Sequence, residues 1–265
     1  MKKADIIIFG GQSNMQGQTE CLSENEVVAN AFEYRYCSDT LKPLQNPVGE
    51  DIRPDFTEGY AYEKTMRDGR WHRDNITGSS CYGFTNMVPS FCRAYTKETG
   101  NTAIAVHAAK GSTVIAQWMP GTLGYNIIVK KTLAAIEKAK EEFEIGHIYL
   151  AWLQGESDAI YCSTKAYYKE AITILKNSLK KDLGLEKFGI VRVGHFARDE
   201  RDDEIINAQE EVCVEDNDFV MLTRLTAELE QTTEYMNPEA RGHYNAKGQE
   251  KLGNEAGTAL AKLAK

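Results

Sequence analysis

Ser13 follows a β-branched run and two glycines in Ile6-Ile7-Ile8-Phe9-Gly10-Gly11-Gln12-Ser13-Asn14-Met15. Glycine permits a tight turn at that point, and a serine held on such a turn presents its hydroxyl to solvent beside free backbone N–H groups. A serine nucleophile needs both, an accessible Oγ and donors for the oxyanion it creates. The segment alone has a second reading, because serine is also a favoured N-cap of a following helix. Three more loops carry groups of complementary chemistry. Lys110-Gly111-Ser112 offers a glycine N–H, Gln154-Gly155-Glu156-Ser157-Asp158 a neutral amide and two carboxylates, and Arg241-Gly242-His243-Tyr244-Asn245 an imidazole. Singly, Gly111 reads as a turn glycine and Gln154 as a strand-end cap.

The first three of these loops each follow a segment that reads as a buried strand, over 6–9, 102–107 and 145–153. Further strands are predicted at 188–195 and 219–223, with a short one at 33–37. Helical spacing covers 84–98, where Phe84, Met87, Val88, Phe91 and Tyr95 share a face before a capping Gly100. It returns over 122–143, 164–183, 203–212 and 245–263. Strands alternating with helices of this length make right-handed βαβ units and a mainly parallel sheet covered on both faces, a three-layer α/β/α sandwich. The loops after parallel strands gather at one edge of such a sheet. One domain over 1–265 is expected, with an irregular insertion at about 16–80 that contains a hairpin turn at Arg67-Asp68-Gly69-Arg70-Trp71.

The 265-residue chain is 42% hydrophobic and 26% charged, with a formal net charge of -8, an ordinary globular composition. The negative balance argues against a phosphate-neutralising surface for nucleic acid. No apolar run approaches the roughly 20 residues of a membrane span. The apolar run after Met1-Lys2-Lys3 is shorter than the ~7–15 residues of a signal core, so a cytoplasmic location is the expectation. The six cysteines form no Cys-x-x-Cys pair and read as reduced thiols, and no histidine or carboxylate pattern suggests a metal.

The chain resembles the SGNH hydrolase superfamily, and within it the sialate O-acetylesterase and acetylxylan esterase branch, carbohydrate esterase family six. Gly-Gln-Ser-Asn-Met stands at 11–15 and Gln-Gly-Glu-x-Asp at 154–158; the glycine block matches Lys110-Gly111-Ser112, and the histidine block matches His243-Tyr244 before Lys247-Gly248-Gln249. The resemblance spans residues 6–253 and implies a flavodoxin-like fold with a five-stranded sheet. It implies Ser13 as nucleophile and His243 as general base, with the oxyanion held by the N–H groups of Ser13 and Gly111 and the Gln154 amide. Gln12, Asn14, Glu156 and Trp118 would contact substrate, with Tyr125 adding a stacking surface. The substrate would be a small-molecule or oligosaccharide acetyl ester, with no cofactor, nucleic acid or membrane involved. Arg53, Arg67, Arg70 or Arg73 would hold the carboxylate of a sialic acid.

One position departs from the pattern. The family's aspartate three residues before the histidine is here Ala240, with Glu239 one step out of register. Glu239 is the expected acid; a backbone carbonyl, or another carboxylate such as Glu156 or Asp158, is the alternative. The rival from another class is a non-catalytic phosphate- or sugar-binding domain using the Gly-Gly loop as an anion nest.

Overall fold

The computed structural model of the chain describes residues 2–20, 26–52, 59–61 and 85–264. The β-branched run forms β1 (Lys2–Gly11), buried from Ala4 onward because it is flanked on both sides by parallel strands. These neighbours are β6 (Thr102–Ala109) and β7 (Phe143–Leu153). Beyond β7 lie β8 (Lys187–Val191) and β9 (Phe219–Thr223), both parallel. The strands β6-β1-β7-β8-β9 are thus the expected five-stranded parallel core.

Among the described residues the sheet has seven strands, with β3 (Thr40–Pro43) and β2 (Ala31–Arg35) added in the order β3-β2-β6-β1-β7-β8-β9. The two additions come from the segment expected to be irregular, and the first overlaps the short strand expected at 33–37. There β2 joins β6 in parallel, and β3 folds back on it antiparallel. Asp39 enables the reversal by taking a positive φ of 48° and accepting the Tyr34 hydroxyl at 2.8 Å. A separate backbone ribbon pairs β4 (Glu50–Ile52) with β5 (Gly59–Ala61). The turn at 67–71, the start of the helix predicted from Phe84, and Arg53, Arg67, Arg70 and Arg73 lie outside the described residues.

A short α1 (Ser13–Gln16) follows β1, and α2 (Val88–Thr99) ends at Gly100 with φ 74°. Next come α3 (Leu123–Ala139), α4 (Glu156–Ile160), α5 (Lys165–Leu183), α6 (Glu200–Glu215), α7 (Thr226–Leu229) and α8 (Ala246–Ala261). Two predicted boundaries move. Phe143, placed at a helix end by its spacing, instead starts β7 and packs against Phe32. The strand predicted over 188–195 leaves the ladder after Val191, where the Val193 and His195 N–H groups turn to the carboxamide of Gln209 and the carboxylate of Glu230.

The last helix lies against α2 at very short range. A Cβ on Gly253 would come within 2.0 Å of Ser90 Oγ, and one on Gly257 within 2.2 Å of the Phe91 carbonyl. This contact sets the height of the segment that enters α8, which is the histidine loop. Among the described residues no helix is long and apolar enough to cross a membrane, and Cys37, Cys92, Cys162 and Cys213 are free thiols.

Candidate active site

Because β1 sits between β6 and β7, the chain leaves its C-terminal end where the strand order reverses, the crevice in which open α/β sheets bind ligands. Gly11 makes the exit with φ 140°, and a Cβ there would stand 2.0 Å from the Leu153 carbonyl oxygen. The next N–H, of Gln12, donates to that same oxygen. Ser13 therefore heads α1, and Gly17 ends the helix with φ 86°. From this turn Ser13 Oγ lies 2.8 Å from His243 Nε2.

His243 reaches the serine from the loop before α8. Its backbone is held on both sides, with its N–H donating to the Ala240 carbonyl and its carbonyl accepting from Asn237. Gly242 takes φ 81° because a Cβ would lie 2.2 Å from the Phe196 ring. That ring meets the imidazole edge-on, 5.7 Å between centroids. Burial pushes the His243 pKa below its ordinary value, opposed by the backbone groups of Arg241 and Ala240. A neutral ring that accepts at Nε2 must carry its proton on Nδ1, which is the tautomer of a general base.

Among the described residues no side chain hydrogen-bonds that Nδ1, which is buried. Glu239, the expected acid, is exposed; it points away, and only its backbone N–H is engaged, donating to Asn237 Oδ1 at 2.9 Å. Glu156 accepts the Asn14 amide, and Asp158 accepts from the Ile115 N–H, Gln154 and Ser163. With no carboxylate on that nitrogen among the described residues, Glu239→Gln is expected to change kcat by less than about tenfold, as steady-state assays would show. A loss of orders of magnitude would restore Glu239 as the acid.

The expected oxyanion donors fare differently. The Gly111 loop does border the serine, since a Cβ on Gly111 would stand 3.4 Å from Ser13 Cβ. Its N–H already donates to Gln16 Oε1 at 2.9 Å. Gln154 does not join the site. Its amide is fully buried, its Nε2 donates to the Thr113 carbonyl and to Asp158, and its Oε1 accepts the Tyr168 hydroxyl. With both N–H bonds used, it ties three loops together and has none left for an oxyanion.

Of the four expected substrate contacts, Gln12 and Trp118 are interior, whereas Asn14 and Glu156 are largely buried yet line the cavity beside the pair. Gln12 Oε1 accepts the Ser157 N–H at 3.2 Å and so supports the start of α4. Asn14 Nδ2 donates to Glu156 Oε1 at 2.9 Å and to the Gly242 carbonyl at 3.2 Å, while its Oδ1 accepts the Tyr244 N–H at 3.2 Å. Asn14 thus staples the serine turn to the histidine loop. Glu156 is buried, and that burial raises its pKa. Trp118 is a core residue, donating its indole N–H to Thr113 and packing edge-on against Trp152. Tyr125 is buried as well, with its hydroxyl on Asp182. Gln16 and Phe196 are the site residues that the sequence reading missed. Gln16 had a local signal, since residues three apart share a helix face; Phe196 comes from a distant loop and had none.

Beside the pair lies a cavity of about 280 Å³, lined by Asn14 and Gly242 on one side and by His195, Arg198 and Glu230 on the other. His195 Nδ1 is 2.5 Å from Glu230 Oε1.

Comparison with known proteins agrees with this architecture. Residues 3–262 match the family described as carbohydrate esterase, sialic acid-specific acetylesterase. A probable carbohydrate esterase of Arabidopsis thaliana is 28% identical over 196 residues, which cover 71% of this chain and 67% of that protein. The fold is also similar to the crystal structure of NanS, with a TM-score of 0.63 at 13% identity over 99% of this chain and 97% of the other. A carbohydrate acetylesterase from Xanthomonas citri is similar over 98% of this chain and 56% of its own, with a TM-score of 0.53 and 16% identity. With nearly its whole length matched, the chain belongs to the carbohydrate esterase family of sialic acid-specific acetylesterases and is a carboxylic ester hydrolase.

Proposed function

We propose that this protein removes O-acetyl groups from a carbohydrate through a Ser13–His243 pair. The observation that carries the reading is the 2.8 Å contact between Ser13 Oγ and His243 Nε2 at the strand-order reversal. Ser13 Oγ attacks the ester carbonyl as its proton passes to Nε2. The resulting oxyanion is held by the backbone N–H groups of Ser13 and Gly111. The intermediate collapses as Nε2 returns the proton to the sugar oxygen, leaving acetyl-Ser13. Water then attacks the acetyl carbon, giving its proton to Nε2, and acetate departs with Ser13 restored.

The adjoining cavity suits a polyol, with Arg198, Glu230 and Gln231 as hydrogen-bonding groups for hydroxyls. The net charge of -8 disfavours strongly anionic polymers by long-range repulsion, and a single acidic sugar far less. The test is acetate release from p-nitrophenyl acetate and from a panel of O-acetylated sialic acids and xylo-oligosaccharides. Release from either sugar class above Ser13→Ala background supports the reading and names the sugar. No release from any acetyl ester overturns it in favour of a non-catalytic binder.

The pH profile follows from the buried imidazole. A base is active only when unprotonated, and burial lowers the His243 pKa, so activity is lost only once pH falls through that lowered value. The acid limb of kcat/KM is expected below the ordinary histidine value of about 6.5. A limb at or above that value would contradict the burial effect.

A further inference from the structure

We infer that the Gln16 side chain plugs the oxyanion site and is displaced by the ester carbonyl, an inference that rests on the esterase reading above. Gln16 is the last residue of α1, one turn after Ser13, so the two side chains leave the helix on the same side. Its Oε1 accepts the Gly111 N–H at 2.9 Å. A Cβ built on Gly111 would stand 2.8 Å from Gln18 Nε2, 3.1 Å from that oxygen and 3.4 Å from Ser13 Cβ, so nucleophile, donor and plug share one small space with the Gln18 amide.

An amide carbonyl oxygen here occupies the donor that an ester carbonyl oxygen needs. One N–H cannot give a full hydrogen bond to two acceptors, so Gln16 and substrate exclude each other at Gly111. The exclusion has weight because Gln154, the expected third donor, is spent on Thr113 and Asp158. Among the described residues only the Gly111 bond anchors the Gln16 amide. Its Nε2 makes no hydrogen bond among the described residues, and the side chain is half-buried, unlike the buried Ser13, Asn14 and Met15 of the same turn. It is free to change rotamer without unpacking the core.

The proposal predicts opposite signs for two substitutions. Gln16→Ala removes the competing acceptor, and kcat/KM for p-nitrophenyl acetate rises about two- to tenfold, chiefly through KM, the size of one net hydrogen bond. Phenylboronic acid, whose boron accepts Ser13 Oγ as the proton passes to His243, is expected to inhibit this variant at correspondingly lower concentration. Gln16→Glu puts a carboxylate on the same N–H. That charge-assisted bond is about twice as strong, and the charge repels the oxyanion, so kcat/KM falls at least about tenfold. Thermal midpoints of both variants verify folding, and Gln16→Met, which removes the acceptor at similar bulk, is read like Ala if Ala does not fold.

A fall in both variants overturns the plug and makes Gln16 a support for the Gly111 loop. A loss of about 10²–10³ in Gln16→Ala overturns it in favour of an oxyanion donor. Either result, with wild-type turnover still dependent on Ser13, sinks the plug alone. A wild type without Ser13-dependent turnover on any acetyl ester sinks the esterase reading and the plug together.

Discussion

Ser13→Ala and His243→Ala are each expected to reduce kcat on p-nitrophenyl acetate by at least about 10³-fold, and the double variant to lose no more than either single one. The two residues act as one unit through the 2.8 Å contact. Without Oγ there is nothing for His243 to deprotonate, and without Nε2 the hydroxyl remains protonated at neutral pH. Residual turnover would come from binding and the backbone donors, which neither change touches. Near-additive losses in the double variant would mean that the two residues act in separate steps and would contradict the pair. Stability is a weak confounder for Ser13, because its truncation removes a single oxygen from a small side chain at the head of a short helix. Circular dichroism and thermal midpoints of the variants settle whether the fold is kept.

Asn14→Ala is expected to lower kcat by about 10²-fold while leaving KM for p-nitrophenyl acetate within a few-fold. The residue touches no reacting atom. Its side chain holds the Gly242 carbonyl and the Tyr244 N–H on either side of His243, and its own carbonyl accepts Gln249 Nε2 at 2.9 Å from α8. Removing the side chain frees the histidine loop from the serine turn, and a misplacement of about 1 Å in such a pair typically costs about 10²-fold. It also strips buried Glu156 of the amide donor that favours its charged form. Lost buried hydrogen bonds of this kind cost about 1–3 kcal/mol, so a lower thermal midpoint accompanies the kinetic loss. A kcat within threefold of wild type would show that α8 alone positions His243. Asn14→Asp is expected to be no rescue, because it sets a second carboxylate against Glu156.

Most of the parallel core was legible because fully buried strands are uniformly apolar runs, as in Ile6-Ile7-Ile8-Phe9, and such runs admit few other readings. Of the hairpin of β2 and β3, the first strand was legible in part, as the short strand expected at 33–37, and the second was not. Thr40–Pro43 is short, half exposed and contains a proline, and it became a strand only by pairing with β2. The nucleophile block and the histidine block were conspicuous because their residue types are uncommon together at loop positions. The roles of the residues around them were harder to read, since each was decided by a partner at long range or by the direction of one side chain. Glu239 has the right chemistry one residue from the expected register and projects into solvent. Gln154 has the right amide, but Asp158, four residues on, captures it. Trp118 stands near the active loops in sequence, while its ring completes the core against Trp152. A residue type announces which bonds a group can make, and packing decides which it does make.

The serine and its histidine are 230 residues apart in sequence, and the loop that carries the histidine is fixed by an α8 seated on α2 through Gly253 and Gly257. With the proposed Ser13–His243 pair, hydrolytic competence arrives late in the life of each molecule. During synthesis the nucleophile turn emerges early, yet it has no base until the segment beyond residue 243 has been made and its helix has docked. Native-state breathing works in reverse, since opening the α2–α8 contact parts the two residues while the central strands stay paired. Ester turnover is thus a sensitive reporter of whether the final helix is in place, and it would fade on heating before the β-sheet signal does.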